Sequence, residues 1–165
     1  MGQMKVAVIG GGASGLMAAI TAARNGAKVD IWERNDRIGK KILATGNGKC
    51  NFTNTDFDIK HFRGTSLDIP KKVLEQFDCC QVQNFFEELG MICRKKETLL
   101  YPYAGQASTV LDVLRYAALD EHVNVWAQEM VTDILPLTNV GFKVVSKSRS
   151  DIYDRVILCC GGYAA

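Results

Sequence analysis

Six consecutive residues, Gly10-Gly11-Gly12-Ala13-Ser14-Gly15, carry the first legible chemistry in the chain. They match G-x-G-x-x-G, a spacing that lets a backbone turn accept two linked phosphates. Gly10 permits a tight turn, Gly12 lacks the Cβ that would keep a pyrophosphate at a distance, and Gly15 lets a helix pack closely. Ala13 and Ser14 stand where that helix starts, so its unpaired N–H groups and positive dipole end face the anion. Glu33 lies 23 residues after Gly10. Its carboxylate can accept hydrogen bonds from both ribose hydroxyls and repels a 2′-phosphate, which favours the adenosine of FAD or NAD over that of NADP. Arg34 softens that preference. The glycine motif alone does not separate FAD from NAD.

A second segment, Arg37 to Asn54, reads RIGKKILATGNGKCNFTN. Lys40 and Lys41 form a basic pair where another phosphate or a carboxylate could be met. Gly46-Asn47-Gly48 is a turn rich in backbone donors, and Lys49-Cys50-Asn51 adds side-chain donors. A plain surface turn with solvated lysines accounts for the same residues equally well. Tyr101, Tyr103 and Cys50 are the side chains that tempt a catalytic reading, and for Cys50 a packed small residue is the simpler account. No nucleophile–base pair is legible, so hydrolysis is not supported and the catalytic residues stay unassigned. His61 and His122 are far apart and neither joins a cysteine cluster, which argues against a metal site.

The elements around these motifs follow from apolar periodicity. Lys5 to Ile9 predicts a buried strand, Leu16 to Asn25 a helix stopped by Asn25-Gly26, and Lys28 to Glu33 a second strand, together a βαβ unit. Val82, Phe85, Phe86 and Leu89 mark a helix capped by Asp78 and ended by Gly90. Val110, Leu111, Leu114, Ala117 and Ala118 mark another, with Ser108 as its cap. Val123 to Trp126 reads as a strand. Three short strands follow at Met130 to Leu135, Gly141 to Ser146 and Asp151 to Tyr153, separated by Thr138-Asn139 and by Lys147 to Ser150. Such an antiparallel meander ahead of the last apolar strand is similar to FAD-type doubly wound domains and tilts the dinucleotide toward FAD. By the same likeness, backbone around Glu129, Met130 and Val131 meets adenine.

The stretch Gly39-Lys40-Lys41-Ile42-Leu43-Ala44-Thr45-Gly46-Asn47-Gly48-Lys49-Cys50-Asn51-Phe52-Thr53-Asn54, together with GGGASG, resembles the bacterial BaiN/RdsA-type flavoproteins, also described as aminoacetone-oxidase-like oxidoreductases. Lys40 and Lys49 stand where arginine is usual in that family, which keeps the charge and loses the bidentate fork. The resemblance continues through Asn84-Phe85-Phe86-Glu87-Glu88-Leu89-Gly90, through Tyr101-Pro102 with Ala107-Ser108, and into Val156-Ile157-Leu158-Cys159-Cys160-Gly161-Gly162. There the two cysteines replace Ala-Thr of the family's A-T-G-G. It implies an α/β fold, a doubly wound (Rossmann-like) FAD-binding domain of the glutathione-reductase type with a β-meander. It implies that the first glycine motif and Glu33 hold the ADP half of FAD. Lys40, Lys41 and Gly46 to Asn51 would wrap the phosphates and flavin side, and Gly161 and Gly162 would close the last strand. A reduced nicotinamide, NAD(P)H, or oxygen is the expected redox partner.

With 165 residues, 47% apolar and 23% charged, and a net charge of +2, the chain suits one packed domain, residues 1–165. The charge balance predicts no nucleic acid or membrane partner and leaves a small-molecule substrate. Six cysteines include two adjacent pairs and no C-x-x-C. With no signal-peptide pattern, they read as reduced thiols of a cytoplasmic protein. Met1-Gly2 resembles a myristoylation start, yet Val6 stands where Ser or Thr is required. The resemblance implies a longer parent with a substrate-side insertion and a returning C-terminal segment. The expectation is therefore an N-terminal portion, truncated on the C-terminal side, whose uncovered sheet invites self-association. Three functions are weighed: the FAD-binding portion of an oxidoreductase, a non-catalytic fragment with weak or no nucleotide binding, and an NAD-dependent dehydrogenase module.

Overall fold

The computed structural model describes residues 2–138 and 141–162. Asn139 of the expected turn, and Met1 and Tyr163 to Ala165 of the two terminal readings, lie outside them. The described residues form two compact units. One joins the residues up to Ile42 to those from Leu114 onward, and the other is Leu43–Val113.

The first unit is built on a four-stranded sheet. Its strands are β1 (Lys5–Ile9), β2 (Lys28–Glu33), β6 (Asn124–Ala127) and β10 (Arg155–Leu158), in the order β10-β1-β2-β6. All three pairings are parallel, as the near-continuous apolar composition of β1 requires of a strand covered on both faces. Helix α1 (Ala13–Arg24) connects β1 to β2 and buries Gly15, Leu16, Ala19 and Ile20. It starts three residues earlier than apolar periodicity alone suggests, because Ala13, Ser14 and Gly15 form its first turn.

Side-chain alternation divides the sheet. Ala7, Ile9 and Trp32 share a cluster with Val144 and Tyr153, both from the antiparallel meander β7 (Val131–Leu137), β8 (Gly141–Ser146) and β9 (Ser150–Tyr153). Val6, Val8 and Ile31 therefore point to the opposite face, where α1 lies. The expected meander is present, and each of its strands lies within two residues of its predicted bounds. A buried polar network ties it to the sheet. Tyr153 Oη donates to Asp30 Oδ2 at 2.7 Å and accepts from Trp32 Nε1 at 2.9 Å. Asn124 Nδ2 donates to Asp30 Oδ1 at 2.8 Å.

The second unit contains β3 (Thr53–Asn54), α3 (Asp68–Gln76), α4 (Cys79–Glu88), β4 (Cys93–Lys96) and β5 (Leu99–Pro102), with the strands in the order β3-β5-β4. Two helices span the unit boundaries, α2 (Lys40–Ala44) and α5 (Ala107–Asp120). Helix α4 opens as predicted. Asp78 accepts from the Gln81 amide, and the Gln81 side chain accepts from the Asp78 amide, a reciprocal capping box. Ser108 is not the cap of α5, because the helix already includes Ala107. The β4–β5 hairpin was not legible in the sequence, because strand β4 is Cys-Arg-Lys-Lys with three exposed residues and no apolar alternation. Helix α3 went unread although Ile69, Val73 and Leu74 fall at helical spacing in it; it buries none of these side chains.

Candidate functional site

The glycine turn leaves β1 with Gly10 at φ 107°, a backbone region that disfavours any side chain. Three glycines of the turn are required by contact. A Cβ on Gly10 would lie 2.4 Å from the Cys159 carbonyl oxygen, one on Gly11 2.4 Å from Ile38 Cγ2, and one on Gly15 1.9 Å from the Gly10 carbonyl oxygen. Gly12 differs, because a Cβ there would meet nothing within 4 Å. It is the N-cap residue of α1, in extended conformation and with no side-chain cap. The first amides of α1, at Ala13, Ser14 and Gly15, thus begin a helix with an open approach in front of it, and the exposed Ala13 and Ser14 border it. This is the geometry of an anion cradle.

Glu33 ends β2 beside this turn and is only 7% exposed. Its Oε2 accepts from the Gly11 amide at 2.8 Å, and its Oε1 accepts from the Asn35 backbone and side-chain amides. A carboxylate has about four acceptor positions, so these three bonds orient Glu33 and leave it able to accept from a sugar hydroxyl. The role of Gly11 and Asn35 was not anticipated. Gly39 was missed as well: it is left-handed at φ 75°, and its amide donates to the Gly11 carbonyl at 2.7 Å. The signal was available in the spacing Ile38-Gly39, a bulky residue over the turn followed by a glycine.

Arg34 is exposed at the same strand end. Lys40, also exposed, pairs with Asp36 in the preceding bend at 2.5 Å, and its hydrogen bond holds the Asp36 carboxyl below its ordinary range. Lys41 is exposed on α2. Backbone of the β6–β7 connection runs beside Glu33, with Glu129 N–H donating to the Glu33 carbonyl at 2.9 Å. Met130 is exposed there and Val131 half-buried. At the end of β10, Cys159 N–H donates to the Ile9 carbonyl, so Gly161 and Gly162 follow a strand end adjacent to Gly10. Both are exposed, with open space at their Cβ positions. Burial pushes the Cys159 thiol up, against a hydrogen bond from Ser14 that lowers it.

The second glycine segment from Leu43 onward belongs to the other unit. Gly46, Asn47, Gly48 and Cys50 all have left-handed φ, between 52° and 81°. That course consumes donors which the sequence offers to a ligand. The Lys49 amide donates to the Gly46 carbonyl and the Cys50 amide to the Thr45 carbonyl. Asn51 Nδ2 donates to the carbonyls of Thr53 and Leu100 at 3.0 and 3.1 Å. The Asn51 side chain anchors β3 to β5 instead of presenting donors outward. Cys50 is buried, in keeping with a packed thiol. Tyr101 is half-buried on β5, and Tyr103 is exposed. Among the described residues no group of His, Cys, Asp and Glu could hold a metal ion, and no helix is long and apolar enough to cross a membrane.

The model of the HI0933-like protein Rossmann domain matches residues 4–165. The chain belongs to the HI0933-like family. A curated relative, 3-dehydro-bile acid delta(4,6)-reductase of Clostridium scindens, is 39% identical over 98% of this chain and 40% of its own length. The ribosomal RNA dihydrouridine synthase of Haemophilus influenzae is 32% identical over 54% of this chain and 22% of its own. The HI0933-like chain thus spans well under half the length of either relative. Among solved structures it is similar to 3-ketosteroid-delta4-(5alpha)-dehydrogenase from Rhodococcus jostii RHA1, with a TM-score of 0.70 at 15% identity over 94% of this chain and 45% of the other. It is also similar to the bacillithiol disulfide reductase of Staphylococcus aureus, with a TM-score of 0.57 at 19% identity over 98% and 39%. These likenesses establish the Rossmann-like fold with its meander. The family match bears out the resemblance read from the two glycine segments.

Proposed function

We propose that this chain binds FAD by its ADP half and serves as the FAD-binding portion of an oxidoreductase that moves hydride between flavin and a small organic substrate. The carrying observation is the contrast within the glycine turn. Gly10, Gly11 and Gly15 are glycines because protein atoms crowd them, whereas Gly12 faces open space in front of an uncapped helix start. A residue kept free of Cβ with no protein neighbour fits a ligand that approaches the backbone.

In this reading the Ala13 to Gly15 amides bind the pyrophosphate, and Glu33, preset by Gly11 and Asn35, accepts from the ribose. The Glu129 to Val131 backbone flanks adenine, while Arg34 at the strand end and Lys41 on α2 add positive charge. When bound, the isoalloxazine supplies the two-electron chemistry, and the protein supplies position and exclusion of water. A bile-acid-like enone is the substrate class supported by 39% identity to the Clostridium scindens reductase across nearly all of this chain.

The test is thermal melting of the purified chain with FAD, NAD and NADP side by side, joined to absorption spectroscopy of the FAD complex. FAD should raise the melting temperature more than NAD or NADP does, as the ligand that binds the native state most tightly. A rise with NAD and none with FAD would assign an NAD-dependent module instead. No rise with any of them would leave a folding unit without nucleotide binding.

A further inference from the structure

The connection from β6 to β7 follows a course that its own residues do not favour. Gln128 holds a left-handed φ of 61°, a region that non-glycine side chains rarely enter. Just beyond, the β7–β8 register slips between Val131 and Asp133, a bulge that re-aims the residues around it. On one side the backbone is pinned to the end of β2. Gln128 N–H donates to the Asn35 carbonyl at 2.8 Å and Glu129 N–H to the Glu33 carbonyl at 2.9 Å.

The other side is held by the turn between β8 and β9. Ser148 Oγ lies 2.6 Å from both oxygens of the Glu129 carboxylate, and Ser146 Oγ donates to Oε2. These hydroxyls hold the Glu129 carboxyl below its ordinary range. Ser146 Oγ in turn accepts from the amides of Ser148 and Arg149 at 3.3 and 3.2 Å. The Arg149 guanidinium sits over the Trp126 ring, 3.5 Å from its centroid. One turn therefore grips both Glu129 and Trp126, on either side of left-handed Gln128.

We infer that the β8–β9 turn positions the adenosine side of the dinucleotide site: Ser146 and Ser148 hold the Glu129 carboxylate and so keep the Gln128–Met130 backbone in its course beside Glu33. The inference rests on the FAD reading above and adds positioning residues to it. Neither serine has to touch the ligand. Without their hydroxyls the Glu129 side chain turns to solvent, Gln128 relaxes from its left-handed conformation, and the Met130 backbone leaves the wall that the adenine ring would meet.

Calorimetric titration of the full chain with ADP and with FAD tests this. The S146A/S148A variant should lose about tenfold in affinity for both ligands, the scale of lost hydrogen bonds to a charged group. S148T, which keeps the hydroxyl, should stay within about twofold of wild type. E129Q, a single near-isosteric change, should weaken ADP by about threefold, since neutral acceptors bind hydroxyls less strongly. Equal losses for ADP and FAD place the effect on the adenosine half, which a general loosening of the fold would not do with S148T intact. Wild-type affinity in both S146A/S148A and E129Q overturns the inference while leaving the FAD reading standing. A loss for FAD without one for ADP also overturns it. A wild-type chain that binds neither ligand overturns the FAD reading and this inference with it.

Discussion

The Gly11 amide donates to Oε2 of Glu33 across 2.8 Å, joining the glycine turn to the carboxylate that ends β2. The bond is buried and spans 22 positions of sequence. It explains how a turn and a strand end are held in register: the carboxylate is aimed by the same loop it serves. Glu33→Ala removes the acceptor of the Gly11 amide and of both Asn35 donors. The expected loss of stability is about 1–3 kcal/mol, the cost of leaving buried donors unsatisfied. Chemical denaturation should show it as a lower midpoint at unchanged slope, and FAD titration of the same variant should show weakened binding.

Two glycines of one turn should respond oppositely to added side chains. At Gly12 a Cβ meets nothing within 4 Å, so Gly12→Val should fold and melt close to wild type yet lose FAD binding. At Gly15 a Cβ would lie 1.9 Å from the Gly10 carbonyl oxygen, a backbone contact that cannot give cheaply. Gly15→Ala should therefore lose stability first, by at least ~2 kcal/mol as strain in a packed site does. Circular dichroism melts together with FAD titration separate the two outcomes. Full FAD affinity in a folded Gly12→Val protein would show that the turn does not hold the phosphates.

Tyr153 links the meander to the sheet through a hydroxyl that serves Asp30 and Trp32 at once. Burial first, and then the hydrogen bond to Asp30, pushes its phenol above the ordinary range. The unfolded chain releases this proton near its usual pKa of about 10, while the folded chain keeps it. The contribution is therefore fully present below about pH 10 and is lost as pH rises further. Tyr153→Phe should cost about 1–3 kcal/mol at neutral pH by leaving Asp30 short of a donor. Its stability should also fall less steeply than wild type above about pH 10. Denaturation midpoints measured from neutral to alkaline pH give both readings.

Local chemistry was enough to locate β1, β2 and the glycine turn, because each is written in contiguous residues. A β-branched run stops at glycine, a G-x-G-x-x-G follows, and an acid ends the next strand. The Asp78 cap of α4 was legible for the same reason, while the return bond from Gln81 that completes the box came only with the structure. Strand β4 was not legible, because alternation shows only where one face is buried and another is wet, and three of its four residues are exposed; helix α3 carries Ile69, Val73 and Leu74 at helical spacing, a pattern that was present and went unread.

Tertiary structure alone decided what each polar group is spent on. Asn51 has the side chain of a ligand donor, yet it is consumed by the carbonyls of Thr53 and Leu100, the latter 49 positions away. Gly11 reads as a spacer, yet its amide orients Glu33. Ser146 reads as a strand end and Ser148 as a turn residue, yet they close on Glu129 from 17 and 19 positions away. Sequence determined which residues could turn, cap, pair or bury themselves, because those capacities belong to one side chain and its neighbours. Which partner each hydrogen-bonding group takes is set by strands brought together across the chain, and no spacing encodes that distance.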